Sequence, residues 1–369
     1  MEAWTKRSCQ TSCICRLKAT KSGRPPSRAS SKSCLASEPF RGERKRGRPM
    51  RLVLKPLIFC LLIGQGLALG QDAAGGEAPG DQAETLIRLL ASRGRSVPKR
   101  ELLERLLQNR EANLPEVRQA ARDGARETRL MALRLLAEIK DPEAARIAGE
   151  SLASKEVAIR RRAGSVLMIL EDETQVAKVL ARLPVEKDSG ALKSLIAAAG
   201  SSGRAAAAGS IRPYLRDANQ SVRVNTAIAL ARLGSMEALG TIIEALQSAD
   251  MQARREAVFG LGFFSGERQK ARAAAQAIID NPVGTWKAEA GISLLRLELA
   301  ASGEKLELLS NASTLRQPRV QAWSIQEIAR LGGKDAAAWL QQRAAGNDPL
   351  GRFAGLQLLL KGEGSHVRK

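Results

Sequence analysis

Residues Asp217–Gly234, DANQSVRVNTAIALARLG, decide the fold. Arg223, Thr226 and Leu230 stand at positions 0, +3 and +7 of this stretch, so a helix carries all three on one face. The small residue at +3 lets a neighbouring helix come close, and the larger one at +7 fills the space behind it. An Asp-Ala-Asn turn precedes the run and Gly234 closes it, the punctuation expected at the two ends of a helix. The same trio recurs as Arg129, Ala132, Leu136; Arg160, Ala163, Leu167; Arg254, Ala257, Leu261; Lys287, Ala290, Leu294; and Arg352, Gly355, Leu359. Two copies are degraded. Arg319 and Ala322 keep the first two places but Gln326 takes the third, with Ile325 beside it, while Lys193, Ile196 and Gly200 keep only the basic residue and the step. The steps are 31, 33, 30, 31, 33, 32 and 33 residues, which is the signature of a tandem repeat.

Between successive copies runs a second amphipathic segment, as in 142–152, 173–183, 236–246 and 334–344. Each unit therefore reads as a helical hairpin whose apolar face cannot be buried without a neighbour. Stacking such units gives an all-α chain, a right-handed α-solenoid of eight or nine hairpins over residues 81–361, drawn out as an elongated superhelix. No stretch shows the sustained alternation of a strand. Tyr214 is the single tyrosine and His366 the single histidine, against the signatures of tetratricopeptide and ankyrin repeats.

Asp217–Gly234 and Asp250–Gly262, DMQARREAVFGLG, resemble the short HEAT repeats first noted in phycobilisome bilin lyases, and the resemblance extends over residues 110–361. It implies a ladder of acidic and basic side chains between neighbouring repeats, carried here by Asp123, Arg129, Arg160, Asp217, Arg223, Asp250, Arg254, Arg319, Asp348 and Arg352, with Asp188 and Asp280 in equivalent places. The resemblance speaks to fold and scarcely to function.

Ahead of the repeats, Met50–Gly70 (MRLVLKPLIFCLLIGQGLALG) has the make-up of a secretion signal: Arg51 and Lys55, an apolar core from Leu57 to Leu69, and small residues at the cut. The core is short for a membrane span and is broken by Gly64, Gln65 and Gly66. Residues 1–49 hold thirteen Lys/Arg, three acids and four of the five cysteines, with almost no hydrophobic periodicity. They read as a disordered basic extension upstream of a start at Met50. Residues 71–80 read as a linker and 362–369 as a frayed tail. Cys9, Cys13 and Cys15 lack the further ligands that a metal site needs. Without the extension and the signal, 44 Lys/Arg face 35 Asp/Glu, a net +9 where the whole chain has +21. The expected location is the periplasm or the extracellular space.

After Cys60 the chain has no cysteine, and its one histidine lies near the end, so no disulfide framework, thiol nucleophile, His-based metal centre or Ser-His-Asp arrangement is expected. The His-Glu pairs with which HEAT-type deoxyhypusine hydroxylases bind iron have no counterpart. Glu171, Asp172 and Glu173 read as a solvated turn capping the next helix. No catalytic residue, metal ligand or cofactor is assigned. Arg161, Arg162 and Arg255 make a candidate anion-binding stripe for a partner, and charge reversal at Arg161 and Arg255 is expected to leave folding intact. Trp286 and Trp323 join the stripe as candidate partner-binding aromatics, although helical spacing also suits them, Trp339, Phe263 and Phe264 to the core. A solenoid surface suits grasping a protein, and the positive balance suits an acidic one. The expected function is an exported, non-enzymatic scaffold that binds a protein partner. The alternatives are a cationic module for nucleic acid or another polyanion, and a HEAT-like enzyme of the bilin lyase or alkylpurine DNA glycosylase type, although export argues against a genomic substrate.

Overall fold

The computed structural model describes residues 83–92, 99–281, 284–346 and 348–362, all within one compact unit, Leu54–Lys369. The segments expected to be a basic extension, a secretion signal and a linker, and most of the expected C-terminal tail, lie outside the described residues. Among those described, every regular element is a helix. A first pair, α1 (Ala83–Ala91) and α2 (Lys99–Gln108), is followed by eight hairpins. In these, α3 (Arg110–Asp123) leads into α4 (Arg126–Glu138), α5 (Ala144–Ser151) into α6 (Val157–Leu170), α7 (Val176–Arg182) into α8 (Ser189–Ser201) and α9 (Ala207–Ile211) into α10 (Gln220–Arg232). Then α11 (Leu239–Ala245) leads into α12 (Met251–Gly260), α13 (Arg268–Asp280) into α14 (Lys287–Leu299), α15 (Lys305–Ala312) into α16 (Pro318–Leu331), and α17 (Gly333–Ala344) into α18 (Pro349–Lys361). The even-numbered helices from α4 onward carry the repeated trio, so the chain is an all-α solenoid of paired helices in the spacing that the sequence sets.

The starts of these helices explain the recurring aspartates. The side chains of Asp188, Asn219, Asp250 and Asp348 accept hydrogen bonds from the first backbone N–H groups of α8, α10, α12 and α18. Such caps hold a helix end that otherwise leaves four donors without partners. Pro318 and Pro349, each at the first helical position, pre-set the backbone of α16 and α18.

The trio works as the spacing demands in the first copies. Ala132, Leu136, Ala163, Thr226, Leu230, Ala257 and Leu261 are fully buried. Direct backbone contact between motif helices is made elsewhere, at glycines. A Cβ on Gly200 would lie 2.5 Å from Ala229 Cα, and one on Gly164 would lie 2.9 Å from the Ser194 carbonyl carbon. Motif helices α6, α8 and α10 thus touch nearly backbone to backbone, whereas the partner helices α5, α7, α9 and α11 are short and pack mainly on the motif helices before and after them, with little contact between one another. Closer spacing along one row than along the other bends the stack toward the motif row.

That bend carries the solenoid further round than an elongated superhelix would go, and α18 packs against α2. Arg110 donates to Ile139 O at 2.9 Å and to Leu360 O at 3.4 Å, tying the first described hairpins to the last. The composition of α18 matches the role: Phe353, Ala354 and Leu358 are buried in the core of the C-terminal hairpins, and Leu356 and Leu360 in the core that contains α1 and α2. A helix that is apolar all round is one with neighbours on both sides. In this copy Gly355 and Leu359 are only half-buried, and the burial has moved to Ala354 and Leu358.

Candidate functional site

Two regions gather functional side chains: the starts of the motif helices, which form a rim, and their ends, which converge in the interior of the bend.

At the rim, Arg160 begins within α6 and crosses to the next hairpin. Its Nε and Nη2 donate to the two carboxylate oxygens of Glu186 at 2.6 and 2.9 Å, and Nη1 donates to Ser154 O and Lys155 O. Both side chains are buried. The guanidinium holds the Glu186 carboxyl down to about 2. A second pairing joins three hairpins: Glu289 accepts from Arg255 at 3.2 Å and from Arg319 at 2.7 Å. Elsewhere the basic residues of the trio reach backward, Arg129 to Ala121 O, Arg223 to Asp217 O and Ala218 O, and Arg254 to Ser248 O. Between hairpins these basic residues meet glutamates, and Arg129 also Ser151, while the carbonyls they reach belong to their own hairpins; Asp250 and Asp348 act as caps, Asp123 accepts from Gln119 and Asp217 from the Asn219 backbone N–H. Asp348 is also bound by Arg343, which holds its carboxyl at about 2.

The five residues singled out for partner binding separate. Arg161 is exposed and lies against Gly190 at the start of α8. Arg255 is buried, its guanidinium carbon 5.6 Å from the Trp286 ring centre, so reversing its charge would press two carboxylates together at Glu289 and does not fit the expectation of an intact fold. Trp286 is half-buried, with a left-handed backbone (φ 69°). Trp323 is 6% exposed and belongs to the core. Arg162 points inward, where burial, together with Arg134 and Arg161, lowers it to about 10. Between α6 and α8 the rim opens as a shallow groove of about 390 Å³ lined by Val157, Arg182, Val185, Lys187, Asp188 and the Arg160–Glu186 pair. Val157 and Val185 are 38% and 57% exposed there.

The interior cluster was not singled out in the sequence. Glu171, just past α6, accepts from Arg232 at the end of α10 (3.1 Å) and from Arg330 at the end of α16 (2.8 Å), 159 residues along the chain. Arg330 also meets Glu327 at 3.4 Å. Behind this bridge lies Arg296 of α14, its guanidinium carbon 3.9 Å from the centre of the Phe259 ring, 4.6 Å from Phe263 and 5.4 Å from Trp323. Arg232 stands over Phe263 as well, at 5.4 Å. Burial lowers Arg296 to about 9 and also depresses Arg232. Alongside, Glu138 is raised by burial against the pull of Arg134 and Arg162. Glu138, Arg232, Phe263 and Arg296 all stand nine places after the basic residue of the trio, half a turn round the helix from the trio's face, where charged residues are ordinary, so only Phe263 departs from the local pattern. Of the acidic run, Asp172 does cap the following turn, accepting from Gln175 N, while Glu173 pairs with Arg204 and Glu171 makes the bridge. Among the described residues no three His, Cys, Asp or Glu side chains gather as a metal site, and no helix is long and apolar enough to cross a membrane.

Comparison with known proteins adds a family. The model for HEAT repeats matches residues 208–296, which span α9 to α14. Among curated proteins no sequence matches. Solved structures similar to the chain include the CpcE–CpcF complex of phycocyanin lyase from Nostoc sp. PCC7120, at 20% identity over 66% of this chain and 98% of that one, with a TM-score of 0.47. Human deoxyhypusine hydroxylase in complex with glycerol is 17% identical over 68% and 96%, with a TM-score of 0.33. A designed armadillo repeat protein is 16% identical over 58% and 100%, with a TM-score of 0.31. Residues 208–296 thus carry HEAT repeats, and the same paired helices continue on either side of them.

Proposed function

We propose that the protein is an exported, non-enzymatic HEAT-repeat scaffold that holds an acidic partner protein on the rim of its motif helices. The observation that carries this reading is the groove between α6 and α8. Val157 and Val185 present apolar surface to solvent beside Arg182 and Lys187, with Glu186 and Asp188 in the same lining and the exposed Arg161 against Gly190 close by. Apolar contacts beside a local excess of positive charge suit a partner that offers a hydrophobic residue flanked by carboxylates. The groove is shallow and its Arg160–Glu186 pair is committed to joining two hairpins, which suits a protein surface better than an enclosed substrate. The Met50–Gly70 segment supports export.

Two experiments test the proposal. N-terminal sequencing of the purified protein is expected to give a start near Gln71, and a protein retained in the cytoplasm with Met50–Gly70 intact would refute export. Partner capture from the periplasm or medium is expected to fail for the double variant Arg161→Glu, Val185→Asp, whose melting temperature should match the wild type. Capture that survives this change would move the interface off the rim. Binding that falls log-linearly with salt, whatever the sequence of an added polyanion, would replace the protein partner by a nucleic acid or similar polymer.

A further inference from the structure

We infer that the interior ends of the motif helices form an oxyanion site, where Arg296 and Arg232 grip a carboxylate or phosphate group that takes the place of Glu171. Three guanidiniums, Arg232, Arg296 and Arg330, meet two carboxylates, Glu171 and Glu327, so one positive charge is left over. Arg330 and Arg232 share Glu171, and Arg296 receives aromatic rings in place of a carboxylate. Ring faces attract a cation but supply no acceptor for its N–H groups. Arg296 Nη1 is accordingly shut off from solvent without a partner, and so is Nε1 of Trp323, whose side chain is nine-tenths buried. Buried donors left unsatisfied are costly, and a native structure that keeps two of them beside an uncompensated charge has a place for an acceptor.

Burial lowers Arg296 to about 9, which expresses how poorly the interior tolerates the bare cation. Guanidinium does not release its proton in proteins, so a counter-anion is the remaining relief. An oxyanion has the valence for it: two or more oxygens, each able to accept from a separate donor, and a charge that balances the cluster. Access is from the side of the bridge, where Glu171 and Arg330 are each about half exposed while Arg232 is mostly covered. Glu171 is the movable piece, because it sits on the turn after α6 and is bound by side chains alone. The site is independent of the rim and of any protein bound there.

The test is calorimetric titration of the purified protein at pH 7 in low-salt buffer with two probes, inorganic phosphate and benzoate. Saturable binding of at least one is expected, and the tighter of the two shows whether the natural group is a phosphate or a carboxylate beside an apolar body. Glu171→Gln removes the competing carboxylate at a half-exposed position and should tighten binding several-fold. Arg296→Met should abolish it, and Arg212→Met, at an exposed position paired with Glu237, should leave it unchanged. Should Arg296→Met fail to fold, Trp323→Phe, which keeps a ring and removes the N–H, is expected to weaken binding several-fold. Absence of saturable binding in both the wild type and Glu171→Gln would overturn the inference, as would an affinity that Glu171→Gln fails to raise.

Discussion

Arg160 at the rim and Arg296 in the interior are both arginines of motif helices, and the fold treats them oppositely. Arg160 is buried with a two-pronged carboxylate and two loop carbonyls, so each of its donors meets an acceptor. Arg296 is half-buried, its guanidinium set among Phe259, Phe263 and Trp323 with Nη1 covered and unmet. The first arrangement serves cohesion: it locks one hairpin to the next through a pair that neither side can leave cheaply. The second leaves a charge uncompensated, and that is the mark of a position kept for something other than stability.

The comparison can be broken first at the rim. Glu186→Ala strands the buried Arg160 and should cost roughly 3–5 kcal/mol in denaturant unfolding. Loss of no more than 1 kcal/mol would mean that the loop carbonyls alone satisfy Arg160. Acid probes the same pair without mutation. The folded Glu186 carboxyl stands at about 2, below its ordinary value of 4.5, so its contribution is complete above that ordinary value and is lost as pH falls toward 2. The loss should reach about 3 kcal/mol. A pH titration of stability should show it, and Glu186→Gln should abolish that part of the pH dependence.

Smaller effects sharpen the geometry around the pair. Gly200→Ala places a methyl 2.5 Å from Ala229 Cα and must push α8 and α10 apart, at about 1–3 kcal/mol. An unchanged thermal melt would contradict the backbone contact that bends the stack. Arg110→Ala removes the donor to Ile139 O and Leu360 O, and about 1 kcal/mol is expected. Faster amide exchange in α18 alone is the accompanying sign that the solenoid has opened at its ends. The smallest effect has the opposite sign. Arg296→Met in anion-free buffer should be neutral or stabilise by up to about 1 kcal/mol, since an apolar side chain replaces an unpaired charge. A large drop in melting temperature would show that the three rings compensate the cation fully.

The sequence determined the repeating hairpin, its spacing and its buried face, because those depend on residues three to seven places apart on one helix. It also determined that acidic residues would stand at the helix starts, although their use as caps, and not as rungs to the basic residues, follows from backbone N–H groups that no side-chain pattern displays. Arg161 was legible as an exposed base. Arg255 and Trp323 were legible as an arginine and an aromatic of the motif row, yet their depth was not, because it depends on which neighbour lies across the groove. Curvature decided the rest. It accumulates from small differences in helix spacing, set at contacts such as Gly200 on Ala229, and only its sum brings α18 onto α2 and Arg330 to Glu171. Side chains 61 to 159 residues apart then share one interior, and no local pattern in the chain encodes that meeting.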